Sequence, residues 1–192
     1  MVEKVYDGVS PGLESRINKE RGYGEITVTG MFAMASALQL DQESIFYDLG
    51  SGLGKLVLFA ALTCNVRRAV GHEISERRHV SAVAALAHID SEHHPGISET
   101  VCFKQADFTQ EDYTDATHVY LASLLYTDDT LVKVCDKLCA SPGLKAVLSI
   151  RELPLGNPLL RKLPTQKQVS VRCSWDVERA TSATLYWASH TE

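Results

Sequence analysis

Three glycines with a spacing of two residues, Gly50, Gly52 and Gly54, separate the apolar runs 45–49 and 55–63. The first run is short enough for a buried strand, and the second is too apolar for any helix that does not pack on a sheet. A strand can turn into a helix close to a ligand only where the residues lack a Cβ. The glycines therefore predict a ligand pocket at the first strand-to-helix turn of an α/β fold.

Two nucleotide-binding loops fit this segment poorly. A dinucleotide fingerprint needs glycine or alanine where Lys55 stands. A phosphate loop needs glycine at Leu49 and serine or threonine at Leu56. Nicotinamide, flavin and nucleoside triphosphate ligands are therefore disfavoured.

The segment 48–55, DLGSGLGK, resembles the first motif of class I S-adenosylmethionine-dependent methyltransferases. Since this cofactor carries no phosphate, we expect the amides of Gly50 to Gly54 and the Asp48 carboxylate to hold its amino-acid end. The residues of the loop assigned to cofactor binding are Asp48, Gly50, Ser51, Gly52, Gly54 and Lys55.

Further candidates follow from the ends of the later strands, because ligands of doubly wound sheets bind beyond the carboxyl ends. Glu73 follows Asp48 by about 25 residues, a position suited to both ribose hydroxyls. Asp107 and Phe108 suit the adenine, as a hydrogen-bond acceptor and a packing surface. Ala122 begins the exit of the fourth strand and is assigned to the cofactor. Ser123 and Tyr126 are the polar groups that could meet a methyl acceptor there.

Tyr23-Gly24-Glu25, together with the loop 48–55, Glu73 and the segment 106–108, resembles the catalytic domain of the Dot (disruptor of telomeric silencing) group of non-SET histone-lysine methyltransferases. The resemblance implies that Tyr23 and Glu25 belong to a loop folded over the methionine end of the cofactor, with Tyr23 near the acceptor. It also implies S-adenosylmethionine as cofactor and a protein lysine as acceptor.

Two positions depart from the pattern of that group. A pair of asparagines is expected after the fourth strand, where this chain has Ala122-Ser123, and a threonine is expected at Ile26. These departures leave a methyltransferase for a small molecule or a non-histone protein as an alternative. A cofactor-binding module without turnover is a third hypothesis.

The order of elements predicts the class I methyltransferase fold, a Rossmann-like, seven-stranded, mostly parallel sheet with a C-terminal antiparallel hairpin. One domain is expected over 1–192, with an N-terminal loop and helix in 1–44 and the core in 45–192. Strands are predicted at 45–49, 69–73, 101–103, 117–121 and 144–150, and the hairpin at 169–187. Helices are predicted before Asp41, over 55–63, after Ser75 and from Asp128.

The inner faces of three of these helices follow from apolar spacing. They are Met31, Met34, Ala35 and Leu38; Val80, Val83, Leu86 and Ala87; and Leu131, Val134, Cys135 and Leu138. Thr27 or Thr29 is the candidate cap of the first helix. His72 should point away from Glu73 and is interpreted as structural.

Composition limits the partners. A net charge of −5 is the wrong sign for direct nucleic-acid binding, so a protein, histones included, or a small molecule is the expected substrate. The apolar runs are too short for a membrane span. No secretory or transit pattern is recognised at the start, and the five scattered cysteines suggest a reducing, intracellular compartment without a metal site.

Overall fold

The structure, a computed structural model, describes residues 24–188, apart from the side chains of residues 176–178. One seven-stranded sheet has the order β3-β2-β1-β4-β5-β7-β6. Its first five strands run parallel, and β7 is antiparallel to both β5 and β6. The predicted fold class is confirmed. The strands are β1 Ile45–Leu49, β2 Arg68–Glu73, β3 Val101–Gln105, β4 His118–Leu121, β5 Ala146–Ser149, β6 Thr165–Cys173 and β7 Asp176–Trp187.

The helices form a layer on each face of the sheet. The helices are α1 Val28–Leu38, α2 Lys55–Cys64, α3 Glu76–Glu92, α4 Asp128–Cys139 and α5 Leu159–Lys162, with short 3₁₀ turns at Ile97–Glu99 and Ser123–Leu125. Side chains of α1, α2 and α3 pack into one apolar core, and those of α4 and α5 pack into a second. In the described residues, no helix is both long and apolar enough to cross a bilayer.

Local sequence explains where α1 begins and ends. The Thr27 side chain caps the helix by accepting a hydrogen bond from the Gly30 amide at 3.2 Å. Gln39 then adopts a left-handed conformation with φ of 54° and ends the helix. The helix therefore ends slightly before the predicted position near Asp41.

The inner face of α4 is confirmed, whereas the prediction for α3 was wrong. Val80 and Val83 are 58% and 43% exposed, and the buried positions include Ala82 and Ala85. The helix packs closely, because a Cβ added to Gly54 would lie 3.0 Å from that of Ala82. Close packing selects the small residues and leaves the β-branched ones outside.

Candidate active site

A cavity of about 40 Å³ lies at the carboxyl end of β1. Its walls come from residues 24–26, from the loop between β1 and α2, and from Tyr120, Ala122 and Trp175. A larger groove of about 900 Å³ lies between α1 and the β6–β7 hairpin and shares no lining residue with this cavity. Part of the predicted site lines the smaller cavity: Glu25, Asp48, Gly50, Ser51, Gly52, Lys55 and Ala122.

Asp48 supplies a buried carboxylate to this cavity. Its side chain is only 3% exposed, and its Oδ1 atom has no hydrogen-bond partner among the described residues. Burial, and secondarily the neighbouring Glu73 carboxylate, raise the pKa of Asp48 to about 8. The site therefore contains an acceptor that a cationic donor would stabilise in its ionised form.

The expectation that the glycine-loop amides face a ligand was wrong for those whose partners are resolved. Gly50 and Ser51 both donate to the His72 carbonyl at 2.9 Å, and Gly54 donates to the Ser51 carbonyl at 2.9 Å. Gly52 donates to Glu73 Oε2 at 2.9 Å. The bonds of Gly50, Ser51 and Gly52 tie the loop to the end of β2, so these amides donate to protein groups and not to a ligand.

The three glycines do adopt backbone angles that favour glycine, with φ of 95°, 56° and 81° at Gly50, Gly52 and Gly54. A Cβ on Gly50 would also overlap the Tyr126 hydroxyl. The glycine pattern in the sequence therefore has a direct steric cause at this turn.

Glu73 lies at the end of β2, as predicted, but protein groups already occupy much of its carboxylate. Its Oε1 atom accepts from the Ser75 amide at 2.8 Å and from Arg78 Nη2 at 3.0 Å. Its Oε2 atom accepts from Gly52. A carboxylate has about four acceptor positions, so about one remains, and chelation of two hydroxyls would require one of these bonds to break.

The N-terminal segment closes the cavity from the side of the hairpin. Its backbone pairs with the end of β6, with the Ser174 amide donating to the Glu25 carbonyl at 2.7 Å. The Glu25 carboxylate accepts from Lys55 Nζ at 2.8 Å. A Cβ on Gly24 would overlap the Trp175 ring, which therefore lies directly on this segment. Tyr23, predicted to lie near the acceptor, is outside the described residues.

The exit of β4 brings Ala122, but not Ser123, to the cavity. Ser123 is fully buried; its hydroxyl lies 2.8 Å from that of Ser149 and accepts the Arg151 amide at 2.8 Å. The prediction that Ser123 meets an acceptor is therefore corrected, since its hydroxyl faces β5.

Tyr126 also differs from its predicted role. Its hydroxyl donates to the Leu49 carbonyl, and its ring lies 5.2 Å, centroid to centroid, from Phe108. Burial raises its pKa well above the ordinary value. Tyr126 therefore connects the β4 exit to the glycine loop and does not line the cavity.

Asp107 and Phe108 lie at the end of β3, outside the lining of the cavity. Asp107 is exposed and accepts from the Thr109 amide at 2.9 Å. The fully buried His72 packs edge-on to Tyr47 at 5.7 Å, which agrees with its structural interpretation.

Comparison with known proteins decides the family. Residues 16–128 match the family described as histone methylation protein DOT1. A protein-lysine N-methyltransferase of Saccharolobus islandicus is 30% identical over 125 residues, which are 65% of this chain and 73% of that protein. The chain belongs to the DOT1 family. The predicted resemblance is thereby confirmed.

Solved structures similar to this DOT1-family chain share its fold. An RNA methyltransferase of Salinibacter ruber, in complex with S-adenosylhomocysteine, is 23% identical with a TM-score of 0.58, over 86% of this chain and 94% of that one. A methyltransferase of Geobacter sulfurreducens with the same ligand is 19% identical with a TM-score of 0.56, over 81% and 63%. Membership of the DOT1 family, together with this fold, makes the chain a class I S-adenosylmethionine-dependent methyltransferase.

The residues of the DOT1-family cavity fit this cofactor chemically. The Oδ1 atom of Asp48, which has no partner among the described residues, is an acceptor for an ammonium group, and a second carboxylate, that of Glu25, also lines the cavity. Two carboxylates with one lysine suit a ligand with cationic amino and sulfonium groups. When bound, S-adenosylmethionine supplies an electrophilic methyl carbon.

Trp175 and Tyr120 are lining residues that sequence reasoning missed in this DOT1-family chain. Trp175 lies at the turn between β6 and β7, and β7 is antiparallel to β5. That turn must therefore lie on the same side of the sheet as the carboxyl end of β5, a signal that the predicted hairpin contained. Tyr120 pairs in register with Asp48 on the neighbouring strand, and strand order was needed to find it.

Proposed function

We propose that this protein transfers a methyl group from S-adenosylmethionine to the side-chain amine of a lysine in a protein. The observation that carries the proposal is the cavity that joins Asp48, Glu25, Ala122 and Trp175 at one strand end. The named activity of the Saccharolobus islandicus relative supports the same acceptor class.

The assigned residues divide between binding and shielding. Asp48 and Glu25 would hold the amino-acid end of the cofactor. Glu73 would take one ribose hydroxyl with its remaining acceptor position, and Asp107 and Phe108 would lie toward the base. Ala122 and the Trp175 ring would border the reacting carbon and restrict water there.

An acceptor lysine must be neutral before its nitrogen can attack. A free lysine amine has a pKa of about 10.4, and an apolar site lowers it by penalising the charged form. Ala122 and Trp175 provide such surroundings, so alignment and desolvation by this chain would replace a dedicated base.

Transfer of a labelled methyl group tests the proposal. The purified chain is incubated with methyl-labelled S-adenosylmethionine and with free histones, assembled nucleosomes or a soluble cell extract. Mass spectrometry of labelled proteins then locates the modified residue. We expect methylated lysine, with at least about a hundredfold loss of rate in Asp48→Asn if that carboxylate helps to hold the cofactor.

Trp175→Ala should also lower the rate, whereas Phe32→Leu should not. Phe32 is an aromatic residue on α1 that is 55% exposed and lies outside the lining of the cavity. Label confined to residues other than lysine, or cofactor binding without any protein labelling, would refute the lysine assignment.

A second candidate is methylation of a small molecule or of a non-histone protein. The net charge of −5 favours it, because an acidic surface is repelled by nucleosomal DNA. Label in the low-molecular-weight fraction would support a small-molecule acceptor. Label on extract proteins but not on nucleosomes would support a non-histone substrate.

A further inference from the structure

Glu73 is a buried carboxylate whose charge needs compensation. It is 5% exposed, and it interacts electrostatically with the Asp48 carboxylate of β1, which is 3% exposed. Two backbone amides, those of Gly52 and Ser75, donate to Glu73. Amides stabilise the charge but do not neutralise it, so a cation is required close by.

Arg78 supplies that cation from the first turns of α3. Its Nη2 atom lies 3.0 Å from Glu73 Oε1, with side chains 19% and 6% exposed. Ion pairs shielded to this degree are stronger than surface pairs, and losing one partner leaves the other buried without its counter-charge. The pair therefore connects α3 to the carboxylate that binds the glycine loop.

We infer that Arg78 is a positioning residue of the cofactor site. It holds the Glu73 carboxylate in an orientation in which one oxygen accepts from the Gly52 amide and still has an acceptor position for a ribose hydroxyl. Arg78 and Ser75 occupy Oε1, so Oε2 is the atom directed to the loop. This inference rests on the proposed cofactor site, and it does not depend on the acceptor.

Arg78 acts through Glu73 and not through the amino-acid end of the ligand. Asp48 lies at the end of β1 and lines the cavity, whereas Arg78 lies on α3 and does not. Two ligands can therefore distinguish an effect of Arg78 from an effect of Asp48. S-adenosylhomocysteine has both ends, while 5′-methylthioadenosine keeps the ribose and the base but lacks the amino and carboxylate groups.

The test is calorimetric affinity for both ligands in wild type, Arg78→Gln, Arg78→Lys, Glu73→Gln and the double variant Glu73→Gln/Arg78→Gln. We expect Arg78→Gln to weaken both ligands about tenfold, equal to the loss of one charged hydrogen bond. Arg78→Lys should recover part of the affinity. The double variant should bind about as well as Glu73→Gln alone, because Arg78 has nothing left to position.

The control is Arg68→Gln, which breaks the pair between Arg68 and Asp115, 2.9 Å apart, at the opposite end of β2. Its affinity should match wild type. A second cycle, in which the same variants are unfolded in urea without ligand, measures the contribution of the ion pair to the free energy of unfolding. Additive losses of affinity in the double variant, or an unchanged affinity in Arg78→Gln, would overturn the inference.

The outcome is separable from that of the proposed function. No acceptor is present in these measurements, so absence of lysine methylation leaves them unaffected. Loss of ligand binding in wild type would instead overturn the cofactor site and the Arg78 assignment together.

Discussion

Lowering the pH from 8 to 6 should weaken the binding of S-adenosylhomocysteine, because Asp48 must be ionised to accept from an ammonium group. The pKa of Asp48 is raised to about 8 by burial and by Glu73. About one molecule in two carries the charge at pH 8 and about one in a hundred at pH 6. An α-amino group with a pKa near 7.7–8.0 is only about half protonated at pH 8. The combined populations predict a loss of about twentyfold in affinity.

Isothermal titration calorimetry at constant ionic strength measures this dependence. Binding at pH 7 should release close to one proton, which appears as a heat that varies with the ionisation enthalpy of the buffer. The affinity should pass through a maximum near pH 8, since the ligand loses its charge at higher pH. 5′-Methylthioadenosine, which has no α-amino group, should lack this maximum.

Asp48→Asn is the matched control, because it keeps the shape of the side chain and removes its titration. The variant should bind more weakly at pH 8 and should lose the slope between pH 6 and 7.5. An unchanged slope in Asp48→Asn, or a wild-type affinity that does not vary between pH 6 and 8, would refute the assignment of Asp48 to the amino end.

Further expectations concern the same turn and the core behind it. Gly50→Ala should cost about 2–4 kcal/mol in urea unfolding, since its φ is 95° and its Cβ would overlap Tyr126. Gly96→Ala, with φ of 91° and nothing within 4 Å of the added Cβ, should lose only about 1 kcal/mol of stability through backbone strain. Equal losses in the two variants would exclude a steric role for Tyr126 at Gly50. Tyr126→Phe should cost about 1–2 kcal/mol, as the Leu49 carbonyl loses its donor; wild-type stability would contradict that contact. Burial lowers the pKa of His72 to about 4, so its contribution to stability is present above about pH 6.5 and is lost as the pH falls toward 4. The free energy of unfolding should therefore change less between pH 7 and pH 5 in His72→Phe than in wild type. An equal change would exclude a contribution of His72 to the pH dependence.

The fold class and the order of elements along the chain were predictable, because buried parallel strands, glycine turns and polar helix starts leave strong local signals. The 45–49 strand, the 128–139 helix and the final hairpin are examples. The α3 helix was different: Val80 and Val83 fit an apolar face by spacing, but packing distance selected Ala82 and Ala85. Spacing alone contains no information about how closely a helix approaches a sheet.

Hydrogen bonding was the second limit on sequence reasoning. Gly50, Gly52 and Gly54 predicted a turn, and the turn is present. Which acceptors their amides reach depends on neighbours distant in sequence, such as the His72 carbonyl and the Glu73 carboxylate. For the same reason Ser123, polar and at a strand exit, could not be distinguished from a site residue before Ser149 was known to face it.

The glycine loop is the point at which three parts of the site meet. Glu73 ties the loop to β2 through Gly52, and Tyr126 ties it to the β4 exit through Leu49. Lys55, the last residue of the loop, pairs with Glu25 of the N-terminal segment. A displacement of the loop must strain at least one of these contacts, because each partner is anchored on a different element. We therefore expect changes at the three contacts to be non-additive in cofactor affinity, although they lie far apart in sequence.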